Sequence, residues 1–97
     1  MAGTPTAEAV AAIAELEPRD RGRYAGPIGW IDASGEGEWV IALRCADVER
    51  VGSDPADAGE RRITAYAGGG IVAGSDPAHE FGETVSKFAP IAEAFAP

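Results

Sequence analysis

A single stripe of apolar residues predicts the first element of the chain. Within residues 4–17, alanines and larger apolar side chains recur at helical spacing, which is typical of an amphipathic helix. Thr4 or Thr6 is expected to cap the first turn, because a hydroxyl accepts its unpaired N–H groups. Pro18 discourages continuation beyond the preceding residue. The larger residues of the stripe are Val10, Ile13 and Leu16.

Two segments rich in β-branched and aromatic residues follow. Residues 28–32 and 38–45 read as strands, since such side chains are enriched in sheets. The segment 33–37 between them consists of small and turn-forming residues. This arrangement predicts a β-hairpin.

The central part alternates between polar and strand-like segments. Residues 47–60 are polar and acidic and contain a Ser-Asp-Pro break, which predicts a surface loop. Residues 61–67 resume an alternating strand. Gly68-Gly69-Gly70 interrupts that strand, and residues 71–73 are expected to continue it.

A second helix is predicted at the C-terminal end. Asp76 is a favourable cap and Pro77 suits the first helical position. The helix is expected over residues 77–94, with Pro90 bending it or ending its regular part. The elements together predict an α+β fold in one domain, residues 1–97, with antiparallel strands and a helix at each end. The strands carry more apolar surface than two thin helices cover.

Charge and composition narrow the classes of function. The chain has 97 residues, 16 acidic against 8 basic side chains, and a net charge of −8. This balance opposes binding to nucleic acid or anionic lipid, because both need clustered basic residues. No apolar run reaches the length of a membrane span, and the first residues lack a signal-peptide pattern. We therefore expect a cytoplasmic protein, and Cys45, the only cysteine, excludes an internal disulfide.

The triglycine segment is the first candidate for ligand chemistry. Backbone N–H groups released from a strand, with no side chains in the way, can approach an anion closely. Neither the P-loop nor the dinucleotide-binding glycine pattern is present. A glycine bulge in a twisted sheet explains the same residues without a ligand and is favoured on spacing alone.

Three charged residues of the second helix form another candidate. Glu80, Glu83 and Lys87 share one helical face, where two carboxylates could hold Mg²⁺ and the lysine could meet a substrate carboxylate. A solvated face with a Glu83–Lys87 ion pair accounts for the spacing equally simply and is favoured on spacing alone.

Other polar residues in and near the strands carry weaker signals. Arg44 stands at the end of an apolar strand and would need an acidic partner or ligand if it pointed inward. Tyr24 lies just before the hairpin. His79 has no histidine or cysteine partner for a metal and is expected at the surface. Cys45 reads as a small buried apolar residue.

Four blocks of the chain resemble the chorismate-utilising enzymes. The segment Asp20–Trp30 is similar to their RG-x-Y-x-G-x-x-G-[YW] block, and Ile41–Arg44 is similar to their A-[IL]-R strand. Ala67–Pro77 resembles A-G-A-G-I-V-x-x-S-x-P, with Gly69 where alanine is usual, and Glu80–Lys87 resembles E-x-x-E-T-x-x-K. Order and spacing agree over nearly the whole chain. Within this group, residues 29–39 resemble the isochorismate synthases more than the other members.

The resemblance implies roles for the candidate residues. It implies that Glu80 and Glu83 hold Mg²⁺, which holds the ring carboxylate of chorismate, and that Lys87 faces a substrate carboxylate. The residues implied to grip the enolpyruvyl carboxylate are Tyr24, Arg44 and the backbones of Gly68 and Gly70. The implied activity is the conversion of chorismate to isochorismate, in either siderophore or menaquinone biosynthesis.

The resemblance covers only the C-terminal part of the larger anthranilate synthase component I-like fold. In the family, the general-base lysine and the general-acid glutamate lie upstream, so this chain is expected to carry no catalytic residue and to be inactive alone. The alternatives are a fragment of an anthranilate, aminodeoxychorismate or salicylate synthase, and a non-catalytic complementing subunit. The expected partners are the missing N-terminal part of the fold or a second copy, meeting through an exposed sheet face.

Overall fold

Helix α1 and a β-hairpin make up the first of two units. The computed structural model describes residues 1–57 and 59–97, and the first unit is Met1–Leu43. Helix α1 spans Thr6–Leu16, as predicted. The prediction of a threonine cap was wrong: Pro5 is the N-cap residue, in extended conformation, and Thr6 already lies inside the helix.

The hairpin is confirmed. Strand β1 spans Pro27–Ile31 and strand β2 spans Gly37–Ile41. They pair antiparallel, with Gly29 opposite Trp39. The indole of Trp39 lies over Gly29, because a β-carbon added at Gly29 would meet the ring at 2.6 Å.

A short backbone ladder ties the turn before β1 to the end of β2. The N–H of Ala25 donates to the carbonyl of Ala42 at 2.8 Å, and the N–H of Ala42 donates to the carbonyl of Gly26 at 2.9 Å. Ala25 and Ala42 are the buried apolar residues described in this unit. The turn that carries Tyr24 is therefore fixed to the hairpin by main-chain contacts.

The second predicted strand is shorter than expected. Strand β2 ends at Ile41, whereas the apolar run suggested continuation to Cys45. Arg44 has a φ of 47°, in the left-handed region that strands do not use. Cys45 then begins a new strand.

Two strands open the second unit, Arg44–Pro97. Strand β3 spans Cys45–Arg50 and strand β4 spans Arg61–Tyr66, and they pair antiparallel. The prediction of a loop over 47–60 was therefore wrong for its first residues, because pairing with β4 outweighs their polar composition. Glu49 lies opposite Arg62, and such opposite charges stabilise a pair of strands.

The segments that follow β3 and β4 are not part of a sheet. A single 3₁₀ turn, Pro55–Asp57, follows β3. The expected continuation of β4 through residues 71–73 was wrong, since these residues are not in a strand. The two strand pairs form separate two-stranded sheets rather than one larger sheet.

The C-terminal helix is divided in two, as the proline predicts. Helix α2 spans Pro77–Lys87 and helix α3 spans Ala89–Ala94. The Asp76 side chain accepts a hydrogen bond from the His79 N–H at 2.9 Å, which confirms the predicted cap. A cavity of about 220 Å³ separates apolar side chains of β4 and the C-terminal segment; its lining residues are Ile63, Ala65, Phe88, Ile91, Ala92 and Phe95.

Large apolar side chains of the hairpin face solvent. Every residue of β1 and β2 is exposed, and Trp30 and Trp39 keep 55% and 62% of their accessible surface. A lone two-stranded sheet is marginally stable in water. Across residues 1–57 and 59–97, none of the helices combines the length and apolar character needed to cross a bilayer.

The turn of the hairpin is organised by one carboxylate. Asp32 Oδ1 accepts hydrogen bonds from Ser34 Oγ at 2.6 Å, Ser34 N at 2.9 Å and Glu36 N at 3.1 Å. The hydroxyl of Ser34, followed by backbone N–H groups, lowers the pKa of Asp32 below its ordinary value. The ionised form of Asp32 is therefore favoured in the folded hairpin.

We expect the hairpin to lose stability in acid through Asp32. A lowered folded-state pKa gives a contribution that is present above the ordinary aspartate pKa and disappears as the pH falls through the lowered value. Asp32→Asn should reduce the fall of the thermal unfolding midpoint between neutral and acidic pH, measured by tryptophan fluorescence. Glu15→Gln, on the exposed face of α1, is the control. If the midpoint of Asp32→Asn falls in acid as much as that of the wild type, Asp32 is not the cause of the loss of stability.

We expect Gly29→Ala to disrupt the hairpin. The new β-carbon would clash with the Glu38 carbonyl oxygen as well as with the Trp39 ring, and overpacking of this kind costs about 1–3 kcal/mol. The readout is the midpoint of urea unfolding followed by tryptophan fluorescence. Gly74→Ala is the matched control, because no atom in the described part of the chain lies within 4 Å of its added β-carbon. Equal midpoints for the two variants would show that the hairpin tolerates the substitution.

Candidate functional site

The triglycine segment leaves β4 and runs beside helix α2. Gly68 is half-buried, whereas Gly69 and Gly70 are exposed. Lys87 Nζ, on the last turn of α2, donates a hydrogen bond to the Gly68 carbonyl at 3.0 Å in a partly buried position. This contact joins two segments that are 19 residues apart.

The main chain at Gly69 comes into contact range of two charged side chains. A β-carbon added there would lie 3.4 Å from Glu80 Oε2 and 3.7 Å from Lys87 Nζ. A β-carbon added at Gly70 would meet no atom of residues 1–57 and 59–97 within 4 Å. Gly68, Gly69, Glu80 and Lys87 thus form one local arrangement, here called the glycine–helix cluster.

Glu83 lies on the face of α2 that also carries Glu80 and Lys87. Its Oε1 is 3.4 Å from Nε2 of His79, one turn earlier, and its side chain keeps half of its accessible surface. His79 is 72% exposed, which confirms the predicted surface position. The helical face therefore presents a half-buried carboxylate at Glu80 and an exposed one at Glu83.

Arg44 lies at the end of the β3–β4 sheet where the triglycine segment begins. Cys45, the first residue of β3, pairs with Tyr66, the last residue of β4, so Arg44 and Gly68 flank the same end of the ladder. Arg44 is exposed, in a left-handed conformation. Cys45 is half-buried, less enclosed than predicted.

Tyr24 belongs to the first unit. It is half-buried, and its N–H donates to the Arg21 carbonyl at 3.0 Å. The guanidinium carbon of Arg21 lies 5.4 Å from the centre of the tyrosine ring. The predicted site residues thus fall into two groups, with Tyr24 in the first unit and the others in the second.

Two carboxylates are available to a metal ion at this site. Among residues 1–57 and 59–97, no group of three or more histidine, cysteine, aspartate or glutamate side chains is positioned to hold a metal. Glu80 and Glu83 sit one turn apart on one face of α2. Magnesium is commonly bound through one or two protein carboxylates and otherwise keeps water or substrate oxygens. This donor set fits Mg²⁺ as part of its coordination shell.

Two features of the site were not predicted from sequence. The approach of Gly69 to Glu80 and Lys87 depends on a long-range contact that no local pattern signals. The second is the contact between Arg21 and Tyr24, which has no local signal of its own. The ion pair that anchors Arg21 does have one, because Glu17 and Arg21 stand four residues apart. Pro18 between them, which ends the helix, hides that signal.

A glycine segment packed against a helix that bears two carboxylates and a lysine can bind a small anion together with a cation. The chain belongs to the family described as chorismate binding enzyme, whose model matches residues 1–96. This confirms the resemblance to the chorismate-utilising enzymes.

The curated relatives that the chain resembles are named as isochorismate synthases and as an anthranilate synthase component. The chain is 46% identical to isochorismate synthase DhbC of Bacillus subtilis over 89% of this chain and 19% of the relative. It is 51% identical to the putative isochorismate synthase MenF of Mycobacterium tuberculosis over 92% of this chain and 22% of the relative. A third relative, anthranilate synthase component 1 2 of Haloarcula marismortui, is 43% identical over 90% of this chain and 15% of the relative.

The chain therefore spans about a fifth of the length of the isochorismate synthases it matches. No solved structure matches it significantly.

We expect Lys87→Met to loosen the triglycine segment. Methionine retains an apolar stem and removes the ammonium that binds the Gly68 carbonyl, a loss of about 1 kcal/mol, or about fivefold in local opening. The ¹H–¹⁵N heteronuclear NOE at Gly69 and Gly70 measures the backbone mobility that this opening produces. Ser86→Ala is the control, because Ser86 Oγ bonds only within α2, to the Glu83 carbonyl. Identical NOE values in wild type and Lys87→Met would exclude an anchoring role for Lys87.

Proposed function

We propose that this chain is part of an isochorismate synthase and supplies part of its chorismate and Mg²⁺ site. The observation that carries the proposal is the glycine–helix cluster, in which Lys87 and Glu80 meet the triglycine backbone. The high identity to proteins named isochorismate synthase supports the choice of product within the family.

The cationic and main-chain groups would hold the substrate. Chorismate is a dianion, and a chain with a net charge of −8 binds it only where donors outweigh the local carboxylates. In the second unit, Arg44 and the backbone of Gly68 and Gly70 would grip the enolpyruvyl carboxylate. Tyr24, in the first unit, would donate its hydroxyl to a substrate carboxylate. Lys87 would face a substrate carboxylate, because an ammonium has three donors and the bond to Gly68 uses one.

Glu80 and Glu83 would hold Mg²⁺. When bound, the ion supplies positive charge that neutralises the ring carboxylate of the substrate. The Glu80 carboxylate lies beside Gly69, where an added β-carbon would come within 3.4 Å of its Oε2. Glu83, at the solvent-exposed side, leaves room for the water ligands that Mg²⁺ retains.

The acid–base chemistry would come from elsewhere in the fold. Conversion to isochorismate adds a water to the ring and expels the allylic hydroxyl, so it needs a general base and a general acid within reach of the reacting atoms. Lys87, the only lysine of these residues, is assigned to a carboxylate. We therefore propose that these 97 residues bind the substrate without turning it over.

A second candidate is a non-catalytic subunit that completes a separate chain. The exposed apolar surface of the hairpin favours it, because contiguous exposed apolar residues mark association surfaces. Another chorismate-utilising synthase is a third candidate, supported by the relative named anthranilate synthase component 1 2. Product analysis separates the third candidate from the first, and co-purification with a complementing chain identifies the second.

The test is calorimetric titration of the chain with Mg²⁺ and chorismate, with circular dichroism to verify folding. We expect saturable binding of chorismate that requires Mg²⁺. Arg44→Met should weaken chorismate binding about tenfold or more, since a hydrogen bond to a charged group contributes about 1.5–3 kcal/mol. Glu80→Gln and Glu83→Gln should weaken Mg²⁺ binding.

Glu15→Gln is the charge-matched control, because it removes one carboxylate on α1 and leaves the proposed site intact. A folded wild-type chain that binds neither ligand contradicts a preformed site. Formation of isochorismate by the isolated chain contradicts the proposed lack of turnover.

A further inference from the structure

Arg21 makes a set of contacts that the proposed ligand site does not explain. Its Nε donates to Glu17 Oε2 at 2.8 Å and its Nη2 donates to Glu17 Oε1 at 2.5 Å. The guanidinium also lies 5.4 Å from the centre of the Tyr24 ring. A weaker contact joins Nη1 to the Met1 carbonyl at 3.4 Å.

The two bonds to Glu17 fix the plane of the guanidinium. A carboxylate that meets Nε and one Nη at the same time forms the bidentate geometry in which arginine is most directional. The hydrogen bond from Arg21 lowers the pKa of Glu17, and the same bond raises the pKa of Arg21. Both side chains are therefore charged at neutral pH and hold each other in place.

The backbone of the turn has hydrogen bonds that do not involve the Arg21 side chain. The Tyr24 N–H bonds to the Arg21 carbonyl, and the Gly22 N–H bonds to Asp20 Oδ1 at 2.6 Å. The turn is also fixed to β2 through Ala25 and Ala42. The Arg21 side chain is thus free to act on the ring of Tyr24 rather than on the path of the main chain.

We propose that Arg21, anchored by Glu17, is a positioning residue that holds the Tyr24 ring in one rotamer and so aims its hydroxyl at the substrate carboxylate. The link to substrate rests on the proposed function. A cation over an aromatic face is attracted by the ring, and a side chain already ordered before binding loses less entropy when the ligand arrives. Arg21 itself does not touch the ligand.

The first test measures the Tyr24 rotamer and needs no ligand. Three-bond couplings of Tyr24 in the 97-residue chain should report one χ1 rotamer in the wild type and averaged rotamers in Arg21→Gln and Glu17→Gln. Arg19→Gln is the matched control, since Arg19 is an exposed residue of the bend that precedes this turn, and it should leave the couplings unchanged. Averaged couplings in the wild type, or couplings that Arg21→Gln does not change, would overturn the proposal.

The second test is a double-mutant cycle on chorismate binding. Arg21→Gln should weaken binding about two- to fivefold in the wild-type background and leave Mg²⁺ binding unchanged. In the Tyr24→Phe background, where the hydroxyl is absent, it should have no effect. An equal loss in both backgrounds would mean that Arg21 does not act through Tyr24. If the wild type binds no chorismate, the proposed function fails, and the rotamer measurement alone decides the role of Arg21.

Discussion

The hydrogen bond from the Lys87 ammonium to the Gly68 carbonyl determines the arrangement of the candidate site. It joins the segment after β4 to the far end of α2, and this brings Gly69 against Glu80. A β-carbon added at Gly69 would make ordinary van der Waals contact with both side chains, 3.4 Å from Glu80 Oε2 and 3.7 Å from Lys87 Nζ. The proximity of loop and helix therefore does not require glycine at position 69.

Elements specified by their own residues could be predicted from the sequence. The hairpin follows from two β-rich segments around a turn, and Asp32 closes that turn through contacts with residues two and four positions away. The cap at Asp76 follows from the same kind of local rule. The helix break before Pro90 is likewise a property of one residue and its neighbours.

Elements specified by distant contacts could not be predicted. Strand β3 contains Asp47, Glu49 and Arg50, which read as loop residues until their partners in β4 are known. The left-handed Arg44 that separates β2 from β3 has no local signature, since glycine or asparagine would be the usual residue there. The candidate site residues have the same limitation: family resemblance indicates them, whereas their spacing alone favours a solvated helix face and a glycine bulge.

A shared electrostatic device appears in both units. Lys87 is bound to a carbonyl and Arg21 to a carboxylate, so each cation is held by a group of its own unit. A cation that is already held loses less entropy when a ligand binds. The two cations differ, however, in how much positive charge their partners leave available. A neutral carbonyl leaves the positive charge of Lys87 available to an anion, whereas Glu17 neutralises Arg21. Arg21 is thereby suited to fixing a neighbouring ring, and Lys87 to meeting a charged ligand.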